Sequence, residues 1–158
     1  MASAHDLPYT SAGPFVHERV GAAAIYCSDG RYGEQMDDFL HNCLALPHYD
    51  RVAVPGGAAC LAGHMLAMRE RTALDRQLKF LIEAHGLNRV VLIAHQDCGF
   101  YKHNVHPHKL RQKPLEEHQF ADLAIVAGLL RDYNRALEVD AYFARKIDDC
   151  VRFEPVAV

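Results

Sequence analysis

The chain of 158 residues contains no tryptophan, and aromatic residues make up only 9% of it. Its core must therefore come mainly from aliphatic side chains, with seven Tyr and seven Phe as the large fillers. Basic charge is not in excess either: 17 Lys and Arg against 20 Asp and Glu leave a net charge of −3. That balance argues against nucleic acid or an anionic membrane as a partner. No basic run interleaved with aromatics offers a track for single strands. No stretch approaches the roughly 20 apolar residues that a bilayer span requires. The start, MASAHDLPYTSAGPF, lacks the basic and apolar regions of a secretory signal. Five cysteines, odd in number and widely spread, do not read as a disulfide framework, so a reducing, cytoplasmic setting is expected. Internal repeats and low-complexity segments are also missing.

What remains is an ordinary globular mixture, half apolar and 23% charged, of a length that suits one domain. Residues 1–16 read as an arm and 17–158 as a single domain. The apolar run RVGAAAIY at 19–26 predicts a buried strand, and RVAV at 51–54 a second. Met36, Phe39, Leu40, Cys43 and Leu44 fall at helical spacing between them, closed by Pro47. A long helical region is expected from about Ala58 to His85, with Arg71–Thr72 as the place for a break. RVVLIA at 89–94 is the clearest strand. A His- and Lys-rich loop then runs to Pro114, followed by an amphipathic helix from about Glu116 to Leu137. The last segments, VDAYFA and CVRFEPV, read as edge strands.

Strands alternating with helices predict an α/β fold of three layers around a mainly parallel sheet. The expected strand order is 2-1-3-4, with room for an antiparallel edge strand. The order reverses between the first and third strands, where open α/β sheets place their sites. The first strand ends in Cys27-Ser28-Asp29-Gly30-Arg31 and the third in His95-Gln96-Asp97-Cys98-Gly99. Adjacent strands lie about 4.8 Å apart, so Cys27, His95 and Cys98 can meet. Two thiolates and an imidazole suit Zn²⁺, and three strong ligands leave a fourth, catalytic position free. Asp29 and Arg31 are spaced for a bidentate ion pair.

Paired in this way, C-x-D-x-R and H-x-x-C-G resemble the β-class carbonic anhydrases over about residues 20–140. The resemblance implies one zinc ion per chain on Cys27, His95 and Cys98, with Asp29 and Arg31 as the catalytic dyad. It further implies reversible hydration of carbon dioxide to bicarbonate by a metal-bound hydroxide, in a homodimer or higher homo-oligomer. The chain departs from the family in lacking long N-terminal helices and in carrying Val54-Pro55-Gly56-Gly57-Ala58 after its second strand. Relatives with the same ligands hydrolyse carbon disulfide or carbonyl sulfide, which is one alternative. A non-catalytic module that binds zinc and bicarbonate, with Asp29 closing the metal site, is another.

Thiol chemistry at Cys27 is the weakest competitor. Only three residues separate Cys27 from Arg31, and Asp29 between them would repel phosphate. His103, His106 and His108 read as a solvated loop, while Cys43, Cys60 and Cys150 read as structural thiols. His64, Met65 and Met68 read as helix packing, and Asp97 as a cap for the following turn. Gly56–Gly57 predicts a turn that lets backbones approach closely, or an anion site. Tyr26, Phe100 and Tyr101 are expected to wall the metal.

Overall fold

A computed structural model describes residues 8–104 and 111–158. No helix or strand precedes β1 (Ala22–Cys27) among the described residues. After β1 come α1 (Gly33–Asp38), a π-helical turn (Phe39–Cys43) and β2 (Asp50–Val54). Two short 3₁₀ turns, Gly57–Cys60 and Met65–Ala67, lead into α2 (Met68–Ala84) and β3 (Arg89–His95). The chain continues through α3 (Gly99–Asn104), α4 (Leu115–Tyr133), β4 (Glu138–Ile147) and β5 (Cys150–Val156).

The five strands form one sheet in the order β2-β1-β3-β4-β5. The first four are parallel, and β5 folds back antiparallel on β4. The order expected for four strands is thus extended by an antiparallel edge. Val90, Val91, Leu92 and Ile93 in β3 are almost wholly buried, because a central parallel strand is covered on both faces.

Alternation along the strands divides the core into two layers. Ala23, Ile25, Val90 and Leu92 meet Leu74, Leu78 and Ile82 of α2 and Leu123, Val126 and Leu130 of α4. Ala22, Ala24, Tyr26, Val91 and Ile93 face Met36, Phe39 and Leu40 on the opposite side. The architecture is therefore α/β in three layers. Among the described residues, no helix is long and apolar enough to cross a membrane.

Several local expectations are corrected. The helix expected from Ala58 begins only at Met68, because Gly63 takes a φ of +87° that a helix cannot accommodate. The π turn, marked by the Leu44 N–H donating to the Phe39 carbonyl five residues back, carries Cys43 off the apolar stripe into solvent. Cys150 is exposed as well, so neither thiol packs in the core. Met65 and Met68 are exposed, and His64 is bonded to Asp122. Part of the expected loop after β3 is the helix α3, which carries an exposed His103, whereas His106 and His108 lie outside the described residues.

Candidate metal centre

The register of β1 against β3 pairs Tyr26 with Ile93, which brings the ends of both strands to one point. Asp97 takes a left-handed φ of +60°, a conformation Asp tolerates, and this tight turn sends the chain from His95 back to Cys98. One ligand atom each from Cys27, His95 and Cys98 lie within 4.8 Å of one another, and all three residues are buried. Among the described residues, no other group of three His, Cys, Asp or Glu converges in this way. The cluster could hold a metal ion.

The imidazole is oriented for such a role. His95 Nδ1 stands 2.9 Å from the Gln96 carbonyl, which only accepts, so Nδ1 carries the hydrogen. The other ring nitrogen, Nε2, keeps its lone pair and is buried without a hydrogen-bond partner. Metal-binding histidines use this arrangement: one nitrogen donates to a carbonyl and the other is free for the metal. The Tyr32 hydroxyl donates to the same Gln96 carbonyl at 3.2 Å, and its ring packs 4.4 Å from the imidazole. The Gln119 amide of α4 donates to the His95 carbonyl at 2.9 Å.

The two sulfurs lie 3.9 Å apart, with Cys98 donating to Cys27. That bond lowers Cys27 against the desolvation of its site, helped by the Gly56 and Asp29 amides. Cys98 moves the other way, pushed up by the neighbouring Cys27 thiolate and by burial. The two thiols are thus driven apart in acidity, with Cys27 the more acidic of the pair.

Asp29 lies beside this cluster and not in it. Arg31 grips it through Nε to Oδ1 at 2.9 Å and Nη2 to Oδ2 at 2.5 Å, and the Arg31 amide adds a third bond at 3.1 Å. The guanidinium holds the Asp29 carboxyl down at about 2.

Gly56 and Gly57 form the expected close-approach turn. The Gly56 N–H donates to Cys27 Sγ at 3.3 Å, and a Cβ on Gly57 would lie 3.0 Å from the Cys27 nitrogen. Tyr101 packs with Cys27, Cys98 and Ala59, and Phe100 lies against them. Tyr26 does not join this wall, because strand alternation turns it to the opposite layer. Phe100 also borders an apolar crevice of about 320 Å³ lined by Val54, Pro55, Cys60 and Leu74. Asp97 pairs with Lys102 at 3.1 Å, and Gln96 Oε1 accepts the Lys146 amide.

Sequence reasoning missed Tyr32 and Gln119. Tyr32 carries no pattern signal. Gln119 does, because it precedes Leu123 and Val126 on the buried face of α4, where a polar residue stands out.

Comparison with known proteins gives a consistent result. The structure is similar to a β-carbonic anhydrase of Trichomonas vaginalis, with a TM-score of 0.53 and 11% identity over 98% of this chain and 90% of the other. It is also similar to a carbonic anhydrase of Glaciozyma antarctica, with a TM-score of 0.56 and 16% identity over 88% and 83% of the two chains. Tetrameric β-carbonic anhydrases of Sordaria macrospora give a TM-score of 0.56 and 14% identity over 89% and 82%. At these identities the likeness shows the fold. In sequence, an uncharacterized protein of Rickettsia conorii is 26% identical over 92 residues, 58% of this chain and 49% of its own length. One of Rickettsia bellii is 24% identical over 92 residues, 58% of this chain and 56% of its own. The chain thus spans about half the length of the curated relatives it matches. The family model described as "Putative carbonic anhydrase" matches residues 17–156, and the chain belongs to that family.

Proposed function

We propose that the chain reversibly hydrates carbon dioxide to bicarbonate, using one zinc ion held by Cys27, His95 and Cys98. One observation carries this reading: His95 Nε2 is buried without a partner, within a cluster whose ligand atoms lie no more than 4.8 Å apart. Zinc, when bound, supplies a Lewis acid that lowers the pKa of water from about 15.7 toward roughly 7. The Cys27 and Cys98 thiolates neutralise the ion's charge, and His95 completes three strong ligands. Asp29, kept ionised by Arg31, accepts the hydrogen bond of the attacking water and turns its lone pair toward the carbon. Phe100 and Tyr101 exclude bulk water from the Cys98 side.

The grip of Arg31 on Asp29 favours an enzyme over a binding module, since closing the metal site would require Asp29 to leave its partner. The five free cysteines fit a cytoplasmic setting. A homo-oligomer is supported by the tetrameric Sordaria macrospora neighbours.

The test is zinc content together with stopped-flow carbon dioxide hydration at about pH 7 and above about pH 8.5. One zinc per chain, lost in Cys27→Ser, and rates above background are expected. Asp29→Ala should keep zinc and lose most activity. Zinc-loaded protein at the background rate at both pH values favours the binding module. Release of hydrogen sulfide from carbon disulfide or carbonyl sulfide would move the substrate assignment to those molecules.

A further inference from the structure

Asp122 lies on the core-facing side of α4 beside Leu123 and Val126, and only 5% of it is exposed. An isolated carboxylate there is costly unless charged or polar partners compensate it. Two donors converge on its Oδ2: the Tyr101 hydroxyl at 2.7 Å and His64 Nε2 at 2.6 Å. Tyr101 is itself 1% exposed, and its ring stands 6.2 Å from that of His64.

None of the three belongs to the metal cluster, yet each sits on an element that builds it. Tyr101 packs against Cys27 and Cys98 in the first turn of α3. Phe100 beside it is packed against the same cluster. His64 closes the segment that begins at Gly56, whose N–H donates to Cys27 Sγ. Ala59 in the same segment packs against both cysteines. A single carboxylate on α4 therefore ties down the backbone on either side of the two sulfurs.

Resting on the zinc reading above, we propose that Asp122 is a positioning residue for the metal centre. Through Tyr101 it fixes the first turn of α3 against Cys27 and Cys98, and through His64 it holds the segment that carries the Gly56 amide. The charge matters as well as the shape. Hydrogen bonds to an ionised acceptor are roughly twice as strong as neutral ones, and Asn in this position offers the same outline without the charge.

The experiment compares the full chain with Asp122→Asn, His64→Gln and Tyr101→Phe. Three readouts are taken: zinc affinity by chelator competition, the thiolate-to-metal absorption of the cobalt(II)-loaded chain, and the melting temperature of the zinc-free chain. Asp122→Asn should bind zinc about tenfold more weakly and shift the cobalt spectrum, the size usual for groups that orient metal ligands. Tyr101→Phe and His64→Gln should each show part of that effect. If Asp122→Asn fails to fold, Tyr101→Phe decides, since it removes one hydroxyl and keeps the ring and the Asp122–His64 pair. Zinc affinity within about twofold of wild type and an unchanged cobalt spectrum, even with a lower melting temperature, would assign the trio to packing and overturn the proposal. A wild-type chain that takes up no zinc fails before any variant is compared; that result refutes the zinc reading and this proposal with it.

Discussion

Gly57→Ala tests whether the turn after β2 sets the position of Cys27. The new Cβ would sit 3.0 Å from the Cys27 nitrogen and 3.0 Å from the Tyr26 carbonyl carbon. Both are backbone atoms of a strand paired on both sides, so neither yields as the end of a flexible side chain would. Gly57 also has a φ of +55°, which costs an L-residue about 1 kcal/mol or more. Adding the roughly 1–3 kcal/mol of an overpacked contact brings the destabilisation to about 2–4 kcal/mol. In a chain of this size that lowers the melting temperature by roughly 5–15 °C. Because the displaced atoms belong to Cys27, zinc affinity should fall in parallel. Thermal unfolding followed by circular dichroism, with and without zinc, measures both effects. Gly128→Ala serves as the control: it is exposed within α4, nothing lies within 4 Å of its Cβ, and it should gain about 0.5–1 kcal/mol. A Gly57→Ala chain that melts within about 1 °C of wild type and binds zinc normally would refute the close-approach argument.

Two further outcomes follow from the charged groups and thiols. Since Arg31 holds Asp29 at about 2, below its ordinary 3.8, the pair's stabilisation is full above the unfolded carboxylate range and lost as pH falls through about 2. The melting-temperature gap between wild type and Arg31→Ala should therefore be constant above about pH 5 and vanish near pH 2; a gap that persists there contradicts the ion pair as its source. Brief iodoacetamide treatment of the zinc-loaded chain at about pH 8 should add two groups, on exposed Cys43 and Cys150. Burial pushes the Cys60 thiol up to about 11, so a rapid third adduct on Cys60, seen by peptide mass, would contradict its placement.

The central strands and the metal cluster were legible in the sequence for one physical reason. A buried parallel strand must be apolar along its length, so the first polar residues after it mark its carboxyl end. Cys27 and His95 close β1 and β3, with Ser28 and Gln96 directly after them, and the strand order brings the two ends together. The segment from 56 to 67 was not legible. Its alanines and leucines mimic a helix, and the positive φ of Gly56, Gly57 and Gly63 breaks it. The π turn at Phe39–Cys43 was hidden for a similar reason, since one extra residue per turn leaves composition unchanged while rotating Cys43 outward. Tyr26 and Tyr101 show the limit of reading neighbours along a chain. Tyr26 adjoins Cys27 in sequence but faces the other layer, whereas Tyr101, three residues past Cys98, packs against both sulfurs.

The same cluster gives a thermodynamic consequence for the whole fold. A buried acceptor without a partner costs about 1–3 kcal/mol, and His95 Nε2 is such an atom. Burial and the neighbouring Cys27 also push the Cys98 thiol up, so a second thiolate there is disfavoured in the folded chain. A divalent ion removes both at once, and unfolding disperses the ligands, so binding free energy becomes folding free energy. At zinc about 1,000 times above its dissociation constant, the gain is roughly 4 kcal/mol. That corresponds to a rise in melting temperature of roughly 8–16 °C. Calorimetry of chelator-treated protein with zinc, and separately with magnesium, measures it. Magnesium prefers oxygen ligands and should leave the transition unmoved. An equal rise with both ions would place the effect on surface carboxylates, and no rise with either would mean that the two sulfurs and the imidazole do not act as one metal site.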